Sequence, residues 1–294
     1  MIIDCHVHRY PTEVSKDPSS FAKAHGENHW LSLVAPKDRT SIQGWADREK
    51  MIADMDAAGV EKSVLLGWYW EQSETCFLHN QWHAKWIKKD PERFIAFAAV
   101  NPLAGNQGIE DLKRARDLGF RGIGEIMPKV QGFSMSDPSW RKIVEFAIDV
   151  EWPVNFHVSE PVGHRRPGRL PTPFEDFQWL AETYPELKII LAHWGGLLPF
   201  HELNPYVHTT FANVWYDVAA SPLLYDSRIF RTIIDVIGAD KVLYGSDYPL
   251  LLYPSVQTEP NFVTYLQEIQ TLGLSKNEGE KILGGNFLRL LGLS

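Results

Sequence analysis

Eight times along this 294-residue chain, a short run rich in Ile, Val or Leu is followed by a stretch with helical character. This alternation is the feature that most constrains the fold. Strands that read as continuous apolar runs are buried on both faces, as parallel strands covered by helices are. The expected strands lie at 1–8, 62–67, 94–100, 120–126, 154–158, 187–193, 214–218 and 241–246. Helical patterns lie between them at 44–58, 109–118, 140–150, 174–183 and 229–237. Their stop signals are Gly59, Gly119, Pro185 and Gly238. A last helix opens at Ser275 with Glu278 three residues on, the pattern of a capping box. Eight such units predict an α/β fold, a (β/α)8 TIM barrel in one domain over residues 1–294. The alternative is a doubly wound open sheet. It would place a Gly-rich phosphate turn after the first strand, where His6 and His8 stand instead. Two connections, 9–41 after strand one and 159–173 after strand five, exceed the usual length. They are expected to be long loops on the C-terminal face, walling a substrate pocket.

A formal net charge of −8 gives no global attraction to nucleic acid or to an anionic membrane. No apolar run is long enough to span a bilayer, and the first strand begins almost at the initiator Met. The expectation is a cytoplasmic protein acting on a small molecule, with homo-oligomers possible. Two cysteines make no disulfide framework, and Cys5, next to His6 on a strand, reads as a packing residue facing away from it.

Residues i and i+2 of a strand point the same way, so His6 and His8 project together. Further candidates stand where later strands end: Glu125, His157, His193 and Asp247. A closed barrel brings those ends around one mouth. Imidazole and carboxylate donors suit zinc first, and also manganese, iron or cobalt. The expected metal-ligating set is His6, His8, His157, Asp247 and Glu125, holding one or two divalent ions per chain. Such an ion lowers the pKa of a bound water and makes a nucleophile near neutral pH.

Taken together, these residues resemble the amidohydrolase superfamily, most closely the amidohydrolase-related branch that includes aminocarboxymuconate-semialdehyde decarboxylase-like proteins. The matching pieces run the length of the chain in family order. They are Asp4-Cys5-His6-Val7-His8, Phe156-His157, His193-Trp194-Gly195-Gly196, Gly245-Ser246-Asp247-Tyr248-Pro249 and the closing Gly285-Asn286-Phe287-Leu288-Arg289. The resemblance implies a metal-dependent barrel enzyme in which His6, His8, His157 and Asp247 match metal ligands. It also implies that His193 is an acid or base beside a metal-bound water, or a ligand to a second metal. Glu125, in Gly-x-Gly-Glu, matches the strand-four carboxylate of hydrolytic members rather than the pattern of decarboxylase members. Its alternative is a structural pairing with Arg121 or a nearby Lys.

The leading expectation is therefore a metal-dependent hydrolase cleaving a lactone, amide or ester, with His193 and Asp247 as catalytic residues moving protons. The alternative is a metal-dependent non-oxidative decarboxylase of an unsaturated or aromatic acid. A third reading, a non-catalytic metal-binding protein on an enzyme fold, requires the loss of a catalytic residue, and both are present. Arg165, Arg166 and Arg169 form a basic cluster. Arg165 and Arg166 are candidate anchors for an anionic substrate. Trp68, Tyr69 and Trp70 end strand two, and Trp68 is a candidate pocket wall for a ring. His164 reads as an exposed loop residue, and His201, after Pro199, as one that reaches the mouth at most behind the residues lining it. His79 and His83, spaced i and i+4, read as structural or exposed, on a helix outside the barrel.

Overall fold

Eight parallel strands appear in the expected order in the computed structural model, which describes residues 1–164 and 169–293. They are β1 Ile3–Val7, β2 Lys62–Leu65, β3 Phe94–Ala96, β4 Ile123–Ile126, β5 Val154–Phe156, β6 Ile189–Leu191, β7 Val214–Asp217 and β8 Val242–Leu243. Neighbours pair in sequence order, β1 to β3 and β4 to β8. The two sheets join where Ala98 pairs with Ile123, with the Ala98 amide donating to the Gly122 carbonyl at 2.8 Å. The circuit closes where Val7 pairs with Tyr248 and the Cys5 amide donates to the Tyr244 carbonyl at 2.9 Å. The result is a (β/α)8 barrel.

Successive strand residues serve two clusters, which is why the runs are apolar throughout. Leu65, Ala96, Ile189 and Val242 join the large core shared with the surrounding helices. Their neighbours Val64, Phe97, Ile190 and Leu243 meet Phe287 and Leu290 of the C-terminal helix in a second cluster. Cys5 is buried in that second cluster as a packing residue. The register of β1 against β2 shifts between Asp4 and Val7, so the alternation expected around Cys5 is not regular there. Phe156 shows what the large core contributes. It is fully buried, edge-on to Trp140 at 5.7 Å and to Phe177 at 5.5 Å. Such burial contributes about 1.5–3 kcal/mol, and it fixes β5 one residue before His157.

The strands are shorter than the apolar runs suggest, because the chain leaves the ladder near the barrel mouth. Helix Arg48–Ala58 starts later than expected, since the Asp47 side chain accepts from the Lys50 amide at 2.8 Å and caps it there. Helix Asn106–Asp117 starts earlier than expected. The capping box at Ser275 and Glu278 forms in both directions.

The segment after β1 departs most from expectation. It is not a loop but three helices, Thr12–Lys16, Pro18–His25 and Asn28–Val34. They carry their own aromatic cluster, with Tyr10, Trp30, Trp70 and Trp82 buried and Phe21 packed against them. His79 and His83 are buried structural groups rather than exposed ones. The Trp70 indole N–H donates to His79 Nδ1 at 2.8 Å, and the two His Nε2 atoms are 2.8 Å apart. Within 159–173, Arg165 and Arg166 lie outside the described residues. Arg169 donates to the carbonyls of Glu160, Pro161 and Gly163 and so braces its own loop. No helix of the described residues is long and apolar enough to cross a membrane.

Candidate metal centre

His6 and His8 leave β1 with their Nε2 atoms 3.2 Å apart, as the i, i+2 geometry requires. Asp4, buried at the base of the same strand, accepts from the amides of His6 at 3.0 Å and Ser246 at 3.1 Å, tying β1 to the turn after β8. From that turn comes Asp247, whose Oδ1 lies 3.8 Å from His6 Nε2 and 3.5 Å from His8 Nε2.

Glu125 enters from β4 beside Gly124. A Cβ at Gly124 would sit 2.5 Å from the Asn155 carbonyl, at φ +135°, so only glycine allows β4 to press so closely on β5. The Glu125 carboxylate is 3.3 Å from His8 Nε2, 3.7 Å from His6 Nε2 and 3.2 Å from His157 Nδ1. The expected alternative, a pair with Arg121, does not form. Burial opposes ionisation of Glu125, but His6 and then His157 outweigh it and hold the carboxyl well below its ordinary range.

His193 follows β6 at φ 57°, and Trp194, Gly195, Gly196 and Leu197 continue in the left-handed region. Asp247 shares that backbone region at φ 67°. Non-glycine residues held there are strained positions of the kind that gather at functional sites. His193 Nδ1 lies 3.0 Å from the Ala219 carbonyl, which can only accept, so that nitrogen carries the proton. Nε2 then presents a lone pair, 3.2 Å from His157 Nδ1. Burial first, then the His157 ring, push the His193 pKa down, so the ring rests neutral.

One central residue was not visible in the sequence. Asp217, at the end of β7 and fully buried, accepts from His6 Nδ1 at 2.9 Å and Asn155 Nδ2 at 3.1 Å. Its other oxygen accepts from the amides of His193 and Ala219, both at 3.1 Å. It therefore holds a proton on His6 Nδ1 and turns Nε2 toward the centre, where a metal ion would take the place of the second ring proton. Burial works against a charged His6 ring, but Asp217 and then Glu125 raise its pKa to about 10.

The donor atoms of His6, His8 and Asp247 lie within 4.8 Å of one another, as do those of His6, Glu125 and His193. Imidazole nitrogens and carboxylate oxygens at this spacing fit a divalent cation. The nearby buried cation, Arg9, is turned away, its guanidinium 4.1 Å from the Trp86 ring centre. The centre opens into a cavity of about 930 Å³, counted out into the solvent at its mouth, and His8, Glu125, His157, His193 and Asp247 are among the residues that line it. Trp68 and Tyr69 stack on each other at 4.4 Å and form its ring-bearing wall, each 5.1 Å from a histidine, His8 and His157 respectively. Trp70 turns into the aromatic cluster instead. His164 and His201 are exposed and do not line the cavity.

A parallel eight-stranded barrel whose strand ends converge on four histidines and two carboxylates has the layout of a barrel enzyme, with its site at the C-terminal face. A family model described as Amidohydrolase matches residues 3–293, and the chain belongs to that family. The chain is 25% identical to a 2-amino-3-carboxymuconate-6-semialdehyde decarboxylase from Dictyostelium discoideum, over 99% of this chain and 91% of that one. Among solved structures, it shares the fold of 5-carboxyvanillate decarboxylase from Sphingomonas paucimobilis. The TM-score is 0.76 at 16% identity, covering 100% of this chain and 99% of that one. It also resembles 5-carboxyvanillate decarboxylase from Novosphingobium aromaticivorans, a structure complexed with manganese. There the TM-score is 0.73 at 20% identity, covering 100% and 96% of the two chains.

Proposed function

We propose that this chain is a metal-dependent non-oxidative decarboxylase of an aromatic or unsaturated carboxylic acid. The observation that carries the reading is the match to a decarboxylase relative over nearly the whole of both chains. The nest of histidines and carboxylates beneath a two-ring wall supports it. The order of the two expected chemistries is thus reversed. Glu125 favoured hydrolysis because a strand-four carboxylate is a feature of hydrolytic members, yet the relative matched over nearly the whole of both chains is a decarboxylase.

In this reading His6, His8, His157 and Asp247 hold the ion, with Glu125 beside them. A divalent metal bound there would supply Lewis-acid chemistry for a substrate carboxylate. The relative crystallised with manganese makes that ion, rather than zinc, the first to load. Trp68 and Tyr69 hold the flat substrate by ring contact. Arg39 is exposed at the rim and is the single Lys or Arg among the described lining residues, so it draws an anion toward the mouth. His193 Nε2 takes up a proton and delivers it to the carbon bearing the carboxylate. The bond from that carbon to the carboxyl group then breaks, its electron pair stays with the substrate, and carbon dioxide leaves.

The test is manganese-loaded protein incubated with 2-hydroxybenzoates and, separately, with lactones and aryl esters. Carbon dioxide release matched by the decarboxylated product is expected. Hydrolysis of a lactone or ester without carbon dioxide release overturns the reading. His193→Gln is expected to lower kcat by about 10²–10⁴-fold with metal content unchanged.

A further inference from the structure

Part of the cavity lining has a chemistry distinct from that of the histidines. Leu33, Val34, Ile42, Leu223, Leu224 and Leu250 contribute to it from three separate chain segments. All but Val34 are only half-buried, so aliphatic surface is left facing the cavity. Helix Asn28–Val34, the third after β1, supplies Leu33 and Val34, and the strip that follows it supplies Ile42. The short helix Ser221–Leu224 after β7 supplies Leu223 and Leu224, and the segment after β8 supplies Leu250.

This wall is built rather than incidental. Gln43 pairs antiparallel with Leu250, the Gly44 amide donates to the Pro249 carbonyl at 3.1 Å, and the Leu251 amide donates to the Ile42 carbonyl at 2.8 Å. Ser41 Oγ donates to the Val34 carbonyl at 2.8 Å and accepts from the Gln43 amide at 3.0 Å, which ties the helix end carrying Leu33 and Val34 to the same strip. These hydrogen bonds hold together the segments that carry Leu33, Val34, Ile42 and Leu250 before any ligand arrives, and preorganised apolar surface binds at a lower ordering cost.

We propose that this wall is a specificity subsite for a compact apolar substituent, a short alkyl chain or a fused ring, on the part of the substrate that does not carry the reacting carboxylate. The proposal rests on the reading of the pocket as an acid-binding decarboxylase site. An apolar substituent gains by leaving water for this surface. A hydroxyl there would lose its water partners to a wall of methyl groups.

The experiment titrates the manganese-loaded protein with 2-hydroxybenzoate, 4-propyl-2-hydroxybenzoate and 2,4-dihydroxybenzoate. It follows tryptophan fluorescence for binding and carbon dioxide release for turnover. Each buried methylene is expected to tighten binding by roughly fourfold, so the propyl acid binds up to about sixtyfold more tightly than the parent. The dihydroxy acid is expected to bind no better than the parent. Leu224→Asn and, on an independent segment, Leu33→Asn are each expected to collapse the ratio of propyl to parent affinity. If the dihydroxy acid binds as tightly as the propyl acid, or if both variants keep the ratio, the subsite is overturned. Alkyl selectivity without carbon dioxide release from any acid upholds the subsite and overturns the decarboxylase reading alone. Binding of none of the three acids overturns both.

Discussion

Asp217 has no vacancy left. Four N–H groups, from His6, Asn155, His193 and Ala219, point at its two oxygens. A histidine that binds a metal through one nitrogen is held by what its other nitrogen donates to, and removal of such a partner commonly weakens metal affinity by about 10–100-fold. Asp217→Asn replaces an acceptor oxygen with an NH₂ group that must face donors. It is therefore expected to weaken manganese binding by about that factor, read by chelator competition with the far-UV circular dichroism unchanged. Unaltered affinity would show that His6 is oriented by something else. The four histidines, Glu125 and Asp247 were legible as candidates because each is a chemically distinctive side chain at or just past the end of an apolar run, whereas Arg39 and the aliphatic wall carry no such mark. Asp217 stands at such an end too, in Val214-Trp215-Tyr216-Asp217. Its role lies in what it touches across the barrel, in residues as distant in sequence as His6, and no local spacing records that.

Short elements explain where the reading of the chain stopped. The helices at Thr12–Lys16, Pro18–His25 and Asn28–Val34 are too brief for a 3.6-residue period to show, so the segment read as a proline-rich loop. Its order comes from tertiary contacts: the aromatic cluster around Trp30 and Trp70, and Glu27. The Glu27 carboxylate accepts from the amides of Glu71 at 2.8 Å and Gln72 at 3.2 Å, clasping the segment to the turn before helix Ser73–Lys89. Burial raises its pKa from 4.5 to about 7. The folded state thus holds that proton more tightly than the unfolded chain does. The stability from this group is fully present below pH 4.5 and is lost as pH rises through about 7. Urea midpoints for Glu27→Gln are expected to depend less on pH across that window than those of the parent. Parallel pH profiles would remove Glu27 as the cause.

At the scale of the whole molecule, barrel closure is what makes a site at all. His6 and Asp247 sit near opposite ends of the chain and meet only because β8 returns to β1 through Val7 and Tyr248. A ligand set assembled by folding binds metal in the native state and not in the unfolded one. Manganese at about a hundred times its dissociation constant is therefore expected to raise the unfolding free energy by about 2.7 kcal/mol, and a chelator to reverse it. Denaturant curves with and without the ion would show it, and coincident curves would mean that the folded protein holds no ion. Closure was legible from eight alternating units. The choice between hydrolysis and decarboxylation was not, since one ligand set serves both and the outcome depends on what the walls admit. Those walls have a property that bears on descent. The strip at 42–44 is joined to 249–251 mainly through main-chain atoms, which every residue type except proline supplies in full. Ile42 and Leu250 can be exchanged for other side chains without undoing the join, whereas Gly44 cannot, since a Cβ there would meet the Pro249 carbonyl at 2.2 Å. A lineage built on this barrel can thus change its diet by point substitution while its chemistry stays fixed.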